Sequence, residues 1–185
     1  MPFIAVPDGI PGIRSLFATR PDVARPLSLL ADTLLHAPNT LSRGERELIA
    51  AYVSALNDCA FCHRSHAAIA SCHLGDDGST ADAVSRDAEQ APISDKMKAL
   101  LAIAAQVQRG GRSVEDDHIA RAREQGATDD EIHDTVLIAA AFCMFNRYVD
   151  GLRAWTPDDP EGYRMRARPV AEHGYAAPAP AAQTT

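Results

Sequence analysis

The chain has 185 residues, 46% of them apolar, and a formal net charge of −7. That length and composition suit one sizeable core in a single domain. The acidic balance, with no Lys/Arg cluster, argues against a nucleic-acid surface. The apolar run Val136 to Phe145 spans 10 residues, about half of what crosses a bilayer. The opening residues, Met1-Pro-Phe-Ile-Ala-Val-Pro7, place no basic segment before a long apolar one, so they do not read as a secretory signal. The cytoplasm is the expected location. In that compartment, 4 cysteines point to reactive or ligating chemistry rather than a disulfide framework.

Ala, Leu, Arg, Glu and Asp dominate, aromatics are few and Val/Ile alternation is scarce, which predicts an all-α fold. Residues 1–20 read as a Pro/Gly-punctuated arm with at most a short helical turn. Val23, Leu27, Leu30, Leu34 and Leu35 recur at three- and four-residue steps and predict a helix over 21–36. Ser42 with Glu45 forms a capping box that opens a helix to about Asn57. Asn57-Asp58 is a tight polar break, and either residue could cap the next helix, roughly 59–74. A weaker polar helix follows at 79–88. An amphipathic one runs from Ser94 to about Arg109, ending at Gly110-Gly111. Ser113 is expected to cap a short helix that ends at Gly126. Thr128 with Glu131 is a second capping box, opening a long helix to about Ala154.

The text after Pro157 reads as irregular. The expected domain therefore covers 21–165, with 166–185 as a C-terminal tail and the Pro/Ala-rich stretch 176–185 disordered. Leu48-Ile-Ala-Ala…Asn57 echoes Leu137-Ile-Ala-Ala…Asn146. Ala/Leu-rich helices also resemble one another by composition, so a duplicated unit and a chance echo both stay open.

The chemistry concentrates in Glu47, Cys59, Cys62 and His66. On a helix, residues three and four apart share a face, so Cys59, Cys62 and His66 form one column. Both sulfurs fall near the helix start, where free amide N–H groups and the helix dipole favour a thiolate. The Cys-x-x-Cys spacing lets a disulfide close locally. An antiparallel hairpin bent at 57–58 would set Glu47 and His66 at nearly equal distances from the bend. At ~1.5 Å rise per residue their offset is about 3 Å, which predicts a contact. The carboxylate would hold the imidazole, and the imidazole would take a thiol proton. Two other readings use the same residues: small buried core thiols, or a zinc site of Cys59, Cys62, His66 and Glu47.

The other candidates read as structural. His63 is expected on the solvated surface. Cys72, His73, His36, His118, His133 and His173 are expected to be exposed or structural, and Cys143 a packed core thiol. Asn146, Arg147 and Asp150 read as an ordinary salt-bridged helix end, with a polar wall of the pocket as the alternative.

The pattern Glu-x11-Cys-x-x-Cys-x3-His resembles the core motif of the alkyl hydroperoxidase D (AhpD)/carboxymuconolactone decarboxylase superfamily. Ser42-Arg-Gly-Glu-Arg-Glu-Leu-Ile49 and Val53-Ser-Ala-Leu-Asn-Asp-Cys-Ala-Phe-Cys62 are closest to its peroxidase-related branch. Thr128-Asp-Asp-Glu-Ile132 through Phe145-Asn-Arg-Tyr-Val-Asp-Gly151 resembles the second family block, so the likeness spans roughly 20–165.

The resemblance implies an AhpD-like helical domain in a homo-oligomer (dimer, trimer or hexamer) that reduces hydroperoxides without haem, flavin or metal. An external dithiol or protein reductant would restore the thiols. In the family's assignment Cys62 is the peroxidatic thiol, Cys59 the resolving one, and Glu47 with His66 the proton relay. Chain geometry alone favours Cys59 as the more acidic thiol. Better-known members place a histidine just before the second cysteine. Phe61 stands there instead, removing one proton-transfer group. The decarboxylase branch lacks the cysteine pair, which argues against that activity. A general thiol–disulfide oxidoreductase and a redox-sensing oligomer remain the alternatives.

Overall fold

The computed structural model describes residues 1–176, and among them the ordered elements are helices, with no strand. They are α1 Ile13–Thr19, α2 Pro21–Leu35, α3 Arg43–Leu56, α4 Ala60–Leu74, α5 Ser79–Arg86, α6 Asp95–Arg109, α7 Asp116–Glu124, α8 Asp129–Gly151 and α9 Pro160–His173, with a 3-10 turn at Gly111–Ser113. None of the helices is long and apolar enough to cross a membrane.

Local chemistry sets most helix starts. In α3 the Glu45 amide donates to Ser42 Oγ and the Ser42 amide donates to Glu45 Oε2, closing the expected capping box. Thr128 and Glu131 do the same for α8. Ser94 accepts from the Met97 amide at the start of α6. Three details depart from the sequence reading. Neither Asn57 nor Asp58 caps α4: Asn57 ends α3, and Cys59 is itself the first flanking residue. The short helix begins beyond Ser113, capped by Glu115.

The third departure is α9, which runs on past the expected domain end at 165 into the tail expected from 166. Asp159 accepts from the Glu161 and Gly162 amides, and Pro160 supplies the first turn's fixed φ. Apart from Ala176, the expected disordered stretch 176–185 lies outside the described residues.

The core lies between α3, α6 and α8. Leu48, Ile49 and Val53 meet Leu100, Leu101 and Ile103, with Ile138 and Phe142 from α8 completing the cluster. Each such side chain contributes about 1.5–3 kcal/mol on burial. Arg46 is 2% exposed, yet its Nη1 and Nη2 donate to the Leu34 and Ala37 carbonyls, so a cation closes the end of α2 and ties it to α3. Lys96 on α6 pairs with Glu131 on α8 at 2.8 Å.

The hairpin of α3 and α4 positions the chemistry. Gly44 lies against Leu74, the Ala51 carbonyl meets His63, and the Cys59 amide donates to Ser54 O. That pairing of early with late residues makes the two helices antiparallel. The bend passes through Asp58 at φ 57, a left-handed conformation that Asp tolerates better than most residues. α9 covers the other side of α4, and the N-terminal arm crosses the hairpin's closed end. There a Cβ on Gly12 would overlap the Phe61 ring, so the arm can lie this close only with glycine.

Candidate active site

Glu47 projects from the middle of α3 and is 1% exposed. His66, two turns into α4, faces it. His66 Nδ1 lies 2.7 Å from Glu47 Oε2, and against a carboxylate that nitrogen is the donor. Nε2 is thereby left for other work. The imidazole is held edge-on against the Phe142 ring, with centroids 4.5 Å apart. The direct Glu47–His66 contact expected from hairpin geometry is present.

Cys59 and Cys62 are 0% and 4% exposed, packed with Leu16, Phe61, Val149 and Tyr163. They are free thiols. Their surroundings differ in charge. Cys62 is pulled below the ordinary 9.0 first by a hydrogen bond from Cys59. The His66 charge and the Asn146 amide lower it further, while burial opposes them. Cys59 is pushed far above 9.0, first because it gives its hydrogen to Cys62, then by burial and by the Asp150 charge. Those directions make Cys62 the more acidic thiol of the pair.

Proximity to the helix start had favoured Cys59. The directions run opposite to that expectation: Asp150 opposes ionisation of both thiols, while Cys62 alone has His66 and the Asn146 amide lowering it.

The far wall comes from α8. Asn146 is 1% exposed, accepts from Asn57 Nδ2 at 2.8 Å and donates to Ser54 Oγ at 3.0 Å. Gln108 Nε2 in turn donates to Asn57 Oδ1, which fixes which way each amide points. The second end of the Leu-Ile-Ala-Ala…Asn echo thus meets the first. Asn146 and Asp150 belong to the thiol wall rather than to a salt-bridged helix end, while Arg147 donates to the Cys143 carbonyl of its own helix.

His63 also departs from expectation. It is half-buried, and its Nδ1 lies 3.1 Å from the Ala51 carbonyl, pinning α4 to α3. Cys72 is exposed and Cys143 buried, as expected. His118 caps α7, and burial holds His73 below its ordinary value.

One contributor escaped the sequence reading. Tyr175, just beyond α9, donates from its hydroxyl to Glu47 Oε1 at 2.5 Å and lies 3.2 Å from His66 Nδ1. No motif marks it, because the contact spans 128 residues and depends on α9 folding back. Among the described residues, no group of three or more His, Cys, Asp or Glu side chains is arranged to hold a metal ion. A groove of about 920 Å³ runs between α4 and α9, lined in part by Arg64, Ser71, Cys72 and Arg168; none of the four motif side chains borders it.

Comparison with known proteins bears on the family and the helical fold. The carboxymuconolactone decarboxylase family model matches residues 21–91 and 79–157, two overlapping stretches that each contain one copy of the echo. No curated protein matches the chain. Among solved structures, it is similar to an uncharacterized peroxidase-related protein from Ralstonia eutropha JMP134, described as an alkylhydroperoxidase AhpD core. The identity is 28%, with 86% of this chain and 82% of that one covered and a TM-score of 0.76. An uncharacterized peroxidase-related protein from Silicibacter sp. TM1040 shares the fold at 23% identity, with 84% and 79% covered and a TM-score of 0.74. The chain belongs to the carboxymuconolactone decarboxylase family, within the superfamily that includes AhpD.

Proposed function

We propose that the protein is a thiol peroxidase in which Cys62 attacks a hydroperoxide and Cys59 resolves the product. The observation that carries the reading is the 2.7 Å Glu47–His66 contact on the same helix hairpin as the buried Cys59 and Cys62 thiols. The thiolate of Cys62 attacks the terminal oxygen of ROOH. The O–O bond breaks, Cys62 becomes a sulfenic acid, and the alkoxide leaves as ROH with a proton delivered through His66. The Cys59 thiol then displaces hydroxide from that sulfur. Water departs and a Cys59–Cys62 disulfide forms, which an external dithiol reduces.

Burial favours this reading over a general disulfide exchanger. At 0% and 4% exposure the two thiols admit a small peroxide more readily than a protein disulfide. The peroxidase-related neighbours support the same class of chemistry. Phe61 is explained by packing: its ring fills the space between the arm and Tyr163, with centroids 6.0 Å apart. Proton handling then falls to His66. Stopped-flow mixing of the reduced protein with cumene hydroperoxide tests the proposal. Fast oxidation that disappears in Cys62→Ser supports it, and undiminished oxidation in that variant rules it out.

A further inference from the structure

We infer that Tyr175 is a positioning residue of the thiol site, and that the turn after α9 is a built-in strap holding its hydroxyl on Glu47. The inference rests on Cys62 being the reactive thiol.

Three observations support the strap. The Tyr175 amide donates to Asp32 Oδ1 on α2 at 2.8 Å, which fixes the backbone beside the site. Gly174, which precedes it, has φ 79, and a Cβ there would overlap the Asp32 carboxylate, so the chain can turn here only with glycine. The Tyr175 ring then lies nearly parallel to the His66 ring, with centroids 5.9 Å apart and planes 23° apart.

The groups facing the phenol are Glu47 from α3, His66 and Cys62 from α4, and Asp32 from α2. Burial first, then the Glu47 charge, keeps the phenol protonated, so it donates. Glu47 thus has both oxygens engaged: Oε1 by Tyr175 and Oε2 by His66. Without the hydroxyl, Oε1 is a buried acceptor with no partner, and the carboxylate loses its fixed aim at His66 Nδ1. The imidazole then loses the fixed orientation from which it acts on the Cys62 sulfur. Asp32 acts one step further out, by placing Tyr175.

The test is the pH profile of Cys62 alkylation by iodoacetamide, which needs no peroxide activity. It is read in the reduced full chain for wild type, Tyr175→Phe, Asp32→Ala and the double variant, with thermal melts alongside. We expect the wild-type inflection below 9.0. It should move up by about one pH unit in each single variant, equal to about tenfold less thiolate on the acid side. The double variant should match either single one, because both remove the same contact. A strap that only covers the site would change the plateau rate and leave the inflection in place. An unmoved inflection in Tyr175→Phe, or shifts that add in the double variant, would overturn the inference while leaving the peroxidase reading intact. A wild-type inflection at 9.0 would overturn both.

Discussion

Across the α3–α4 hairpin, His66 Nδ1 donates to Glu47 Oε2 at 2.7 Å, although 19 residues separate the two in sequence. The helices meet there because the bend at Asn57-Asp58 is tight and the capping box at Ser42 sets where α3 begins. The acid and the imidazole are therefore fixed by helix length and register, with Cys62 one turn nearer the bend and Cys59 at the start of α4.

Glu47→Gln keeps the shape and removes the charge. Its Cys62 should alkylate about tenfold more slowly at neutral pH, with a melting temperature close to wild type. Glu47→Ala instead leaves the His66 N–H and the Tyr175 hydroxyl without acceptors, at a cost on the order of 3 kcal/mol in chemical denaturation. Equal reactivity in Gln and wild type would separate the carboxylate from sulfur activation.

The Cys59 hydrogen bond is the largest influence lowering Cys62. Cys59→Ala should therefore move the Cys62 alkylation inflection upward, toward 9.0. The sign also applies to stability. A thiol that ionises more easily folded than unfolded stabilises the fold fully above the unfolded value of 9.0, and that contribution is lost as pH falls through the lowered folded value. The raised Cys59 acts the other way, weakening the fold as pH climbs past 9.0. Denaturation of wild type and Cys62→Ser across pH 6 to 9, roughly the range between typical perturbed and free thiols, should show the wild type gaining stability relative to the variant as pH rises.

Asn146 donates to Ser54 Oγ, is oriented by Asn57 and Gln108, and its amide acts to lower Cys62. Asn146→Ala should lower Cys62 reactivity about tenfold, the size of one hydrogen bond to a charge. Asn146→Asp, which sets an acceptor and a negative charge beside the sulfur, should lower it further. Alkylation rates at fixed pH order the three proteins.

Phe61 is 6% exposed and wedged between Gly12, Leu16 and Tyr163. Phe61→Ala should cost about 3–5 kcal/mol in urea denaturation. Proteolysis of the N-terminal arm should become faster as its packing partner disappears.

Much of this was legible in the sequence because it is local. Capping boxes, three- and four-residue apolar steps and the Cys-x-x-Cys-x3-His column are short-range signals, and the hairpin places Glu47 by simple counting. What escaped depends on long-range contact. Tyr175 joins the site across 128 residues through Glu47, and the choice of pocket wall over helix end for Asn146 turns on its contact across 92 residues with Ser54. α9 was missed although Asp159-Pro160-Glu161 is a good helix start, because its polar sequence and internal Pro169 conceal the apolar stripe. The relative acidity of the two cysteines runs opposite to the helix-start expectation because the largest influence is the pair's own hydrogen bond, with His66 on the same helix adding to it.

The most direct measurement exposes reduced Cys59→Ser protein to one equivalent of hydroperoxide with dimedone present, then maps the adduct by mass spectrometry. The account predicts a sulfenic-acid adduct on Cys62 in that variant and a Cys59–Cys62 disulfide in wild type. An adduct on another cysteine, or none while wild type still consumes peroxide, would contradict it.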